Sequence, residues 1–214
     1  MSTTSVDHWQ GVYRDKREAQ TSWFRPHLDT SLRLIDGLGL ARQTALIDVG
    51  GGRSTLVDDL LARGFCDVTV LDIAEPALAE VRARLSAAGT SVSWLAADVL
   101  AAEFPAARFG LWHDRAVFHF LTDAESRNAY VERAAAALKP GGYAIVATFA
   151  VGGPERCSNL PVRRYDAAAL AAEFAPRFEA IDSAREEHVT PWGVMQPFTY
   201  VVLRRTEIRN ERPC

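Results

Sequence analysis

A chain of 214 residues, 48% hydrophobic and 24% charged, is long enough for one domain with a full core and short for two; that balance excludes a disordered or fibrous protein. Its formal charge of -3 supplies no general electrostatic pull on nucleic acid. No apolar run approaches the roughly 18 to 20 residues that a membrane span needs, and the polar residues 1–10 lack the apolar core of a secretion signal.

Cys66, Cys157 and Cys214 are odd in number and spaced like neither a zinc site nor a disulfide framework. The expectation is therefore a cytoplasmic protein, monomer or homodimer, with no metal site and with neither nucleic acid nor a membrane as partner.

In chain order, residues 1–27 form an aromatic-rich leader that carries Trp9, Tyr13, Trp23 and Phe24. An amphipathic helix is expected over 28–38. Strands follow over 44–49, 67–71, 91–95 and 109–113, where short apolar or β-branched runs are bounded by polar turns. Helical stretches over 54–63 and 75–87 separate the first three, the second opening with Pro76 in its first turn. A helix over 123–138 then stops at Lys139-Pro140-Gly141-Gly142, and 143–149 reads as a fifth strand. Beyond it come a helix over 167–174 and two strands over 178–188 and 198–204, an antiparallel pair at the sheet edge.

Strand–helix alternation implies parallel strands joined by crossover helices. The predicted class is α/β: a Rossmann-like doubly wound sheet, mostly parallel with an antiparallel last strand, and helices on both faces. Residues 28–205 form the domain, and 206–214 a polar tail.

The most informative string is Leu46-Ile47-Asp48-Val49-Gly50-Gly51-Gly52-Arg53-Ser54, a buried strand ending in an acid and three glycines before a helix. Glycines let the backbone turn sharply and approach a ligand closely. Dinucleotide enzymes and phosphate binders also use such a loop, but Thr55 stands where the Gly-x-Gly-x-x-Gly spacing from Gly50 needs glycine, and the lysine of a phosphate loop is missing. Asp48 repels a pyrophosphate and suits the ammonium of an amino-acid moiety. Asp72, twenty residues beyond Gly52 at the end of the second strand, suits the two hydroxyls of a ribose. Asp98, just after the third strand, suits the exocyclic amine of an adenine, with apolar neighbours to sandwich the ring.

Together, Asp48, Gly50, Gly52, Asp72, Asp98 and the Lys139-Pro140-Gly141-Gly142 turn resemble the motif series of the class I methyltransferases that use S-adenosylmethionine (SAM). The resemblance covers residues 44–149. It implies a seven-stranded sheet, SAM lying across the carboxyl ends of the first strands, Ile73 and Val99 beside the adenine, and S-adenosylhomocysteine as product. Ser54 departs from the third glycine that many members carry, leaving Gly50 and Gly52 intact. A nucleotide-sugar or NAD enzyme is the alternative. The leader resembles the aromatic segment that folds over the donor in several small members; Tyr13 then meets the methionine carboxylate and Trp23 the sulfonium, plain packing onto the sheet being the competing reading.

For the acceptor, the segment Trp112-His113-Asp114-Arg115-Ala116-Val117-Phe118-His119-Phe120 leaves the fourth strand where the methyl group is expected. It lacks the Asn/Asp-Pro-Pro-Tyr/Phe string of relatives that methylate planar amide or base nitrogens. His119 is the candidate base, Asp114 an orienting carboxylate and Phe118 an apolar wall. A packing histidine, an Asp114–Arg115 ion pair and a core phenylalanine are the plainer readings. Cys157 and His188 are paired around a soft, sulfur-like acceptor, and Arg164 is offered as a grip for an anionic one, against a merely solvated arginine. The expected function is methyl transfer to a small-molecule acceptor, a thiol or other chalcogen first and oxygen second. A protein-lysine methyltransferase is the alternative, and a non-catalytic SAM-binding regulator the third reading.

Overall fold

In a computed structural model the described residues are 3–15, 21–86 and 91–206. The strands are β1 (Leu46–Val49), β2 (Val68–Asp72), β3 (Val92–Ala96), β4 (Phe109–Arg115), β5 (Leu138–Phe149), the two-residue β6 (Arg156–Cys157) and β7 (Leu160–Pro161), β8 (Phe178–Val189) and β9 (Met195–Arg205). The helices are α1 (Thr3–Asp15), α2 (Asp29–Gly37), α3 (Leu56–Ala62), α4 (Glu75–Leu85), α5 (Ala124–Ala137) and α6 (Ala167–Phe174).

Seven strands make one sheet in the order β3-β2-β1-β4-β5-β9-β8. β3, β2, β1, β4 and β5 pair in parallel, while β9 runs antiparallel to both β5 and β8. The mostly parallel, Rossmann-like α/β sheet expected from the alternation is thus observed. Its central strands are buried on both faces, which is why β1 reads Leu-Ile-Asp-Val with no exposed position. One face packs Ile47, Trp112 and Val146 against α5 and α6 through Tyr130, Ala134, Leu170 and Phe174. The other packs Leu46, Val68 and Ile145 against α2, α3 and α4 through Ile35, Leu60 and Leu78. Each such side chain contributes about 1.5–3 kcal/mol on full burial. Helix starts are fixed locally: the Asp123 carboxylate accepts from Ser126 N at 2.8 Å and Asp166 from Ala169 N at 2.8 Å.

Three elements differ from the sequence-based expectation. The Lys139-Pro140-Gly141-Gly142 segment lies inside β5, because Phe109 pairs with Leu138 and the register then shifts to Leu111 opposite Tyr143. Pro140 brings no N–H and Gly141 has φ +71°, so the extra residues are absorbed as an irregularity while the strand goes on. The leader holds a helix, α1, and the turn-rich 152–161 stretch contains the β6–β7 hairpin. The end of the helix expected over 75–87, parts of the leader (1–2 and 16–20) and the polar tail from 207 onward lie outside the described residues. No helix of the described residues is long and apolar enough to cross a membrane, and among them no cluster of His, Cys, Asp and Glu is arranged to hold a metal ion.

Candidate active site

The strand order reverses between β1 and β4, so the loops at their carboxyl ends part and leave a crevice. β1 enters it through Gly50 and Gly52, with φ +70° and +39°. A methyl group at Gly50 would fall 2.1 Å from Val117 Cγ2, and one at Gly52 2.4 Å from Tyr13 Oη and 2.9 Å from Asp72 Oδ2. The loop therefore needs glycine both for its backbone conformation and for its close approach to the site.

Asp48, at the end of β1, is buried. His113 Nδ1 donates to its Oδ1 at 2.7 Å, and His113 Nε2 meets Ser31 Oγ at 2.9 Å. Asp48 Oδ2 has no hydrogen-bond partner among the described residues. It borders a small recess shared with Gly50, Gly51, Arg53, Thr55 and His113. A buried carboxylate oxygen left unpaired is costly, and a cationic ammonium would satisfy it.

Alongside lies a larger cleft. At one end it is lined by Leu71, Asp72, Ile73, Asp98 and Val99. Asp72 is fixed by the amide of Ala74, which donates to Oδ1 at 2.8 Å. Burial, reinforced by the neighbouring Asp48, pushes its carboxyl up from 3.8 to about 7, against the lowering effect of the Ala74, Gly52 and Ile73 amides. Asp98 Oδ1 accepts from Leu100 N at 2.9 Å, which holds the turn after β3.

The other end is aromatic, built from Trp9, Trp23, Phe120, Phe149 and Phe198, with Arg115 and Cys157 among them. Arg115 is buried at the end of β4. Its Nη2 donates to Glu186 Oε1 at 2.9 Å, its Nε to Tyr200 Oη at 3.0 Å, and its guanidinium lies 4.2 Å from the Phe198 ring centroid. Burial alone would pull the guanidinium down, but Tyr200 and Glu186 outweigh it and hold Arg115 above its ordinary value. Burial likewise pushes the Glu186 carboxyl up, and Arg115, Thr30 and Tyr200 reverse this to hold it below the usual range.

The leader closes over this cleft. Tyr13 packs with Ala74 and Ala77, and Trp9 makes edge contacts with Trp23 at 6.1 Å and Phe120 at 5.2 Å. Three side chains of the body hold it by main-chain carbonyls: Arg53 donates to Tyr13 O at 2.5 Å, Arg115 to Trp23 O at 3.3 Å and His188 Nε2 to Ser22 O at 2.5 Å. Arg53 also pairs with Glu80 on α4.

The profile of a family described as methyltransferase domain matches residues 46–142, the stretch that carries Asp48, the glycine loop, Asp72 and Asp98. This stretch is similar to the methyltransferase domains of the class I, SAM-dependent type. It is 34% identical to an uncharacterised methyltransferase of Mycobacterium bovis over 116 residues, covering 54% of this chain and 56% of that one. It is 27% identical to the eEF1A lysine and N-terminal methyltransferase of Bos taurus over 124 residues, 58% of this chain but 18% of that protein. The chain thus spans about half or less of the length of these curated relatives. The fold is similar to that of 1,6-didemethyltoxoflavin-N1-methyltransferase from Burkholderia thailandensis, solved with S-adenosylhomocysteine, at a TM-score of 0.70 and 24% identity, covering 95% of this chain and 85% of that one.

The structure brings Asp48, Gly50, Gly52, Asp72, Ile73, Asp98, Val99, Tyr13 and Trp23 to one crevice. The acceptor candidates fare differently. Asp114 points to the opposite face of β4 from His113 and Arg115. There its carboxylate accepts from Tyr130 Oη and from the amides of Val117 at 2.8 Å and Phe118 at 3.0 Å. Burial pushes it up to about 6, and its role is to hold the turn after β4. Phe118 is a core side chain against Tyr130, Tyr165 and Phe174. Arg164 is spent on Gly153 O at 2.9 Å and Glu155 at 2.8 Å, stapling its own loop. His188 is a fastener of the leader, and burial holds its imidazole below the ordinary value despite the Ser22 carbonyl. Of the acceptor candidates, Cys157 lines the cleft.

His119 is 0% exposed behind the aromatic wall, its ring between Phe120 and Phe149. Burial, with repulsion from Arg115, pushes it down to about 3, so the ring is uncharged near neutral pH, and it does not line the cleft. His119→Ala is accordingly expected to cost about 2–4 kcal/mol of stability as a cavity in a packed wall, with SAM binding retained. A thermal melt and a donor titration check this; a large loss of turnover at unchanged melting temperature would restore His119 as a base.

Residues that sequence reasoning passed over are Arg115, Phe198, Phe149 and Trp9. Strand parity held a signal for the first: His113 and Arg115 lie two apart on β4 and so share the face of Asp48, while Asp114 lies on the other.

Proposed function

We propose that this methyltransferase transfers the methyl group of SAM to a small molecule that presents an already ionised soft nucleophile, a thiolate in the first place. The observation that carries the reading is the composition of the acceptor end of the cleft. It is an aromatic box whose charged lining side chain is Arg115, and among the described residues it holds no histidine or carboxylate in position to take a proton from an acceptor. An enzyme that offers no base there is suited to an acceptor that needs none. A thiolate is such an acceptor, since ionisation close to neutral pH supplies its nucleophilicity in advance.

The donor half fits SAM on the chain's own terms. Asp48, with its unpaired Oδ2, would take the ammonium of the methionine moiety, Asp72 the two ribose hydroxyls and Asp98 the adenine amine, between Ile73 and Val99. When bound, SAM supplies a methyl group made electrophilic by its sulfonium. The residues around it then align and desolvate: Phe120, Phe149 and Phe198 exclude water, the Arg115 guanidinium, paired with Glu186, borders them, and Trp9, Tyr13 and Trp23 cover the cleft. The 1,6-didemethyltoxoflavin-N1-methyltransferase supports the small-molecule part of this reading, with nitrogen as its own acceptor atom; the eEF1A lysine and N-terminal methyltransferase supports the protein-lysine alternative.

A mass-spectrometric screen of S-adenosylhomocysteine production against hydrosulfide, thiols of graded pKa, phenols, carboxylates and lysine peptides tests the proposal. The expected outcome is turnover of thiols that rises with their thiolate fraction at fixed pH. Methylation confined to lysine peptides, or to carboxylates, would overturn it.

A further inference from the structure

A second, outer chamber adjoins the cleft. α1 contributes His8, the β6–β7 turn Asn159, and the β8–β9 hairpin Trp192 and Gln196. Cys157 lines this chamber and the aromatic end of the cleft alike, so the two are neighbours at this residue.

Two observations distinguish the chamber from a surface groove. Gln196 is only 9% exposed, yet its Oε1 has no hydrogen-bond partner among the described residues. His8 Nε2 is a second buried polar atom in the same wall without one. Buried polar groups are as a rule paired, and unpaired ones at a cavity wall mark a place where a ligand completes the bonding. Trp192, in the same lining, is 56% exposed, a large aromatic face turned out of the core.

We infer that this chamber seats the body of the methyl acceptor: a planar small molecule with an N–H donor for Gln196, its face toward Trp192, and its nucleophilic sulfur reaching past Cys157 into the aromatic box. The inference rests on the small-molecule thiol reading above and extends it from the reacting atom to the recognised framework. Gln196 and Trp192 act on acceptor binding, not on chemistry, so their effects belong in KM and not in kcat.

The test compares hydrosulfide, which has no body to seat, with thiophenol and 4-mercaptobenzamide as acceptors. For the wild type, the amide-bearing thiol is expected to have a KM about 10-fold below that of thiophenol, on the order of one charge-free hydrogen bond. Gln196→Leu is expected to erase that difference with kcat within about twofold for the amide thiol. Trp192→Ala, an exposed position that folding tolerates, should lower kcat/KM for both aromatic thiols relative to hydrosulfide. A second arm needs no turnover: ligand-observed NMR of 4-(methylsulfanyl)benzamide on the protein loaded with S-adenosylhomocysteine should show contact that Gln196→Leu abolishes, while S-adenosylhomocysteine titration stays unchanged. If the wild type methylates no thiol, the thiol reading falls, and the NMR arm alone decides on the chamber. Equal KM values and equal NMR contact in wild type and Gln196→Leu would overturn the inference.

Discussion

Asp72→Asn is expected to weaken S-adenosylhomocysteine binding by about 10- to 100-fold, because a ribose diol donates two hydrogen bonds that a carboxylate accepts better than an amide. The same change should stabilise the fold above neutral pH. In the folded chain burial and Asp48 hold the Asp72 carboxyl at about 7 instead of 3.8. Between those values the folded chain keeps a proton that the unfolded chain has already lost, so stability falls as pH climbs through the interval. The asparagine variant lacks that slope. Its melting temperature should therefore exceed the wild type's at pH 8 and match it more closely at pH 4. Donor binding carries the opposite sign, since it requires the ionised form: wild-type affinity should rise from pH 6 to pH 8 with proton release, read by calorimetry in buffers of different ionisation enthalpy. A wild type whose affinity is flat across that range, or an Asp72→Asn variant that binds normally, would remove Asp72 from the donor site.

Arg115→Ala should have the larger effect on stability, about 3–5 kcal/mol, since it strands Glu186 as an unpaired buried charge. For a domain of this size that corresponds to a drop of roughly 6 to 20 °C in melting temperature. Adding Glu186→Gln should recover a substantial part of the loss, because the stranded charge goes with it, whereas activity should not return: the guanidinium at the aromatic box and the tie to the Trp23 carbonyl are both gone. The pair of measurements separates the two duties. A single variant that melts like wild type would show that the Arg115–Glu186 bridge holds nothing together, and full activity in the double variant would remove Arg115 from the acceptor end.

The convergence of the candidate donor residues was legible because its parts are local: Asp48, Asp72 and Asp98 each sit at or just beyond the end of one parallel strand, and strand ends converge by topology alone. The acceptor half was not. Trp9, Phe149 and Phe198 come from a leader helix, the fifth strand and the last strand, and nothing in their spacing announces that they share a wall. His119 was read as facing the cleft from its place after β4; the turn that Asp114 holds carries its ring behind the wall, where burial keeps it uncharged. The Lys139-Pro140-Gly141-Gly142 string marked a real irregularity but not an end, because a strand paired on both sides can absorb extra residues.

The leader's fastenings bear on how such an enzyme changes acceptor over evolutionary time. Arg53, Arg115 and His188 grip carbonyl oxygens at Tyr13, Trp23 and Ser22, and a carbonyl is present whatever side chain a residue bears. Substitutions on the leader's inner face therefore leave those three grips in place. Mutation can recut the shape and polarity of the surface that meets the acceptor while the means of closing the cleft is inherited unchanged.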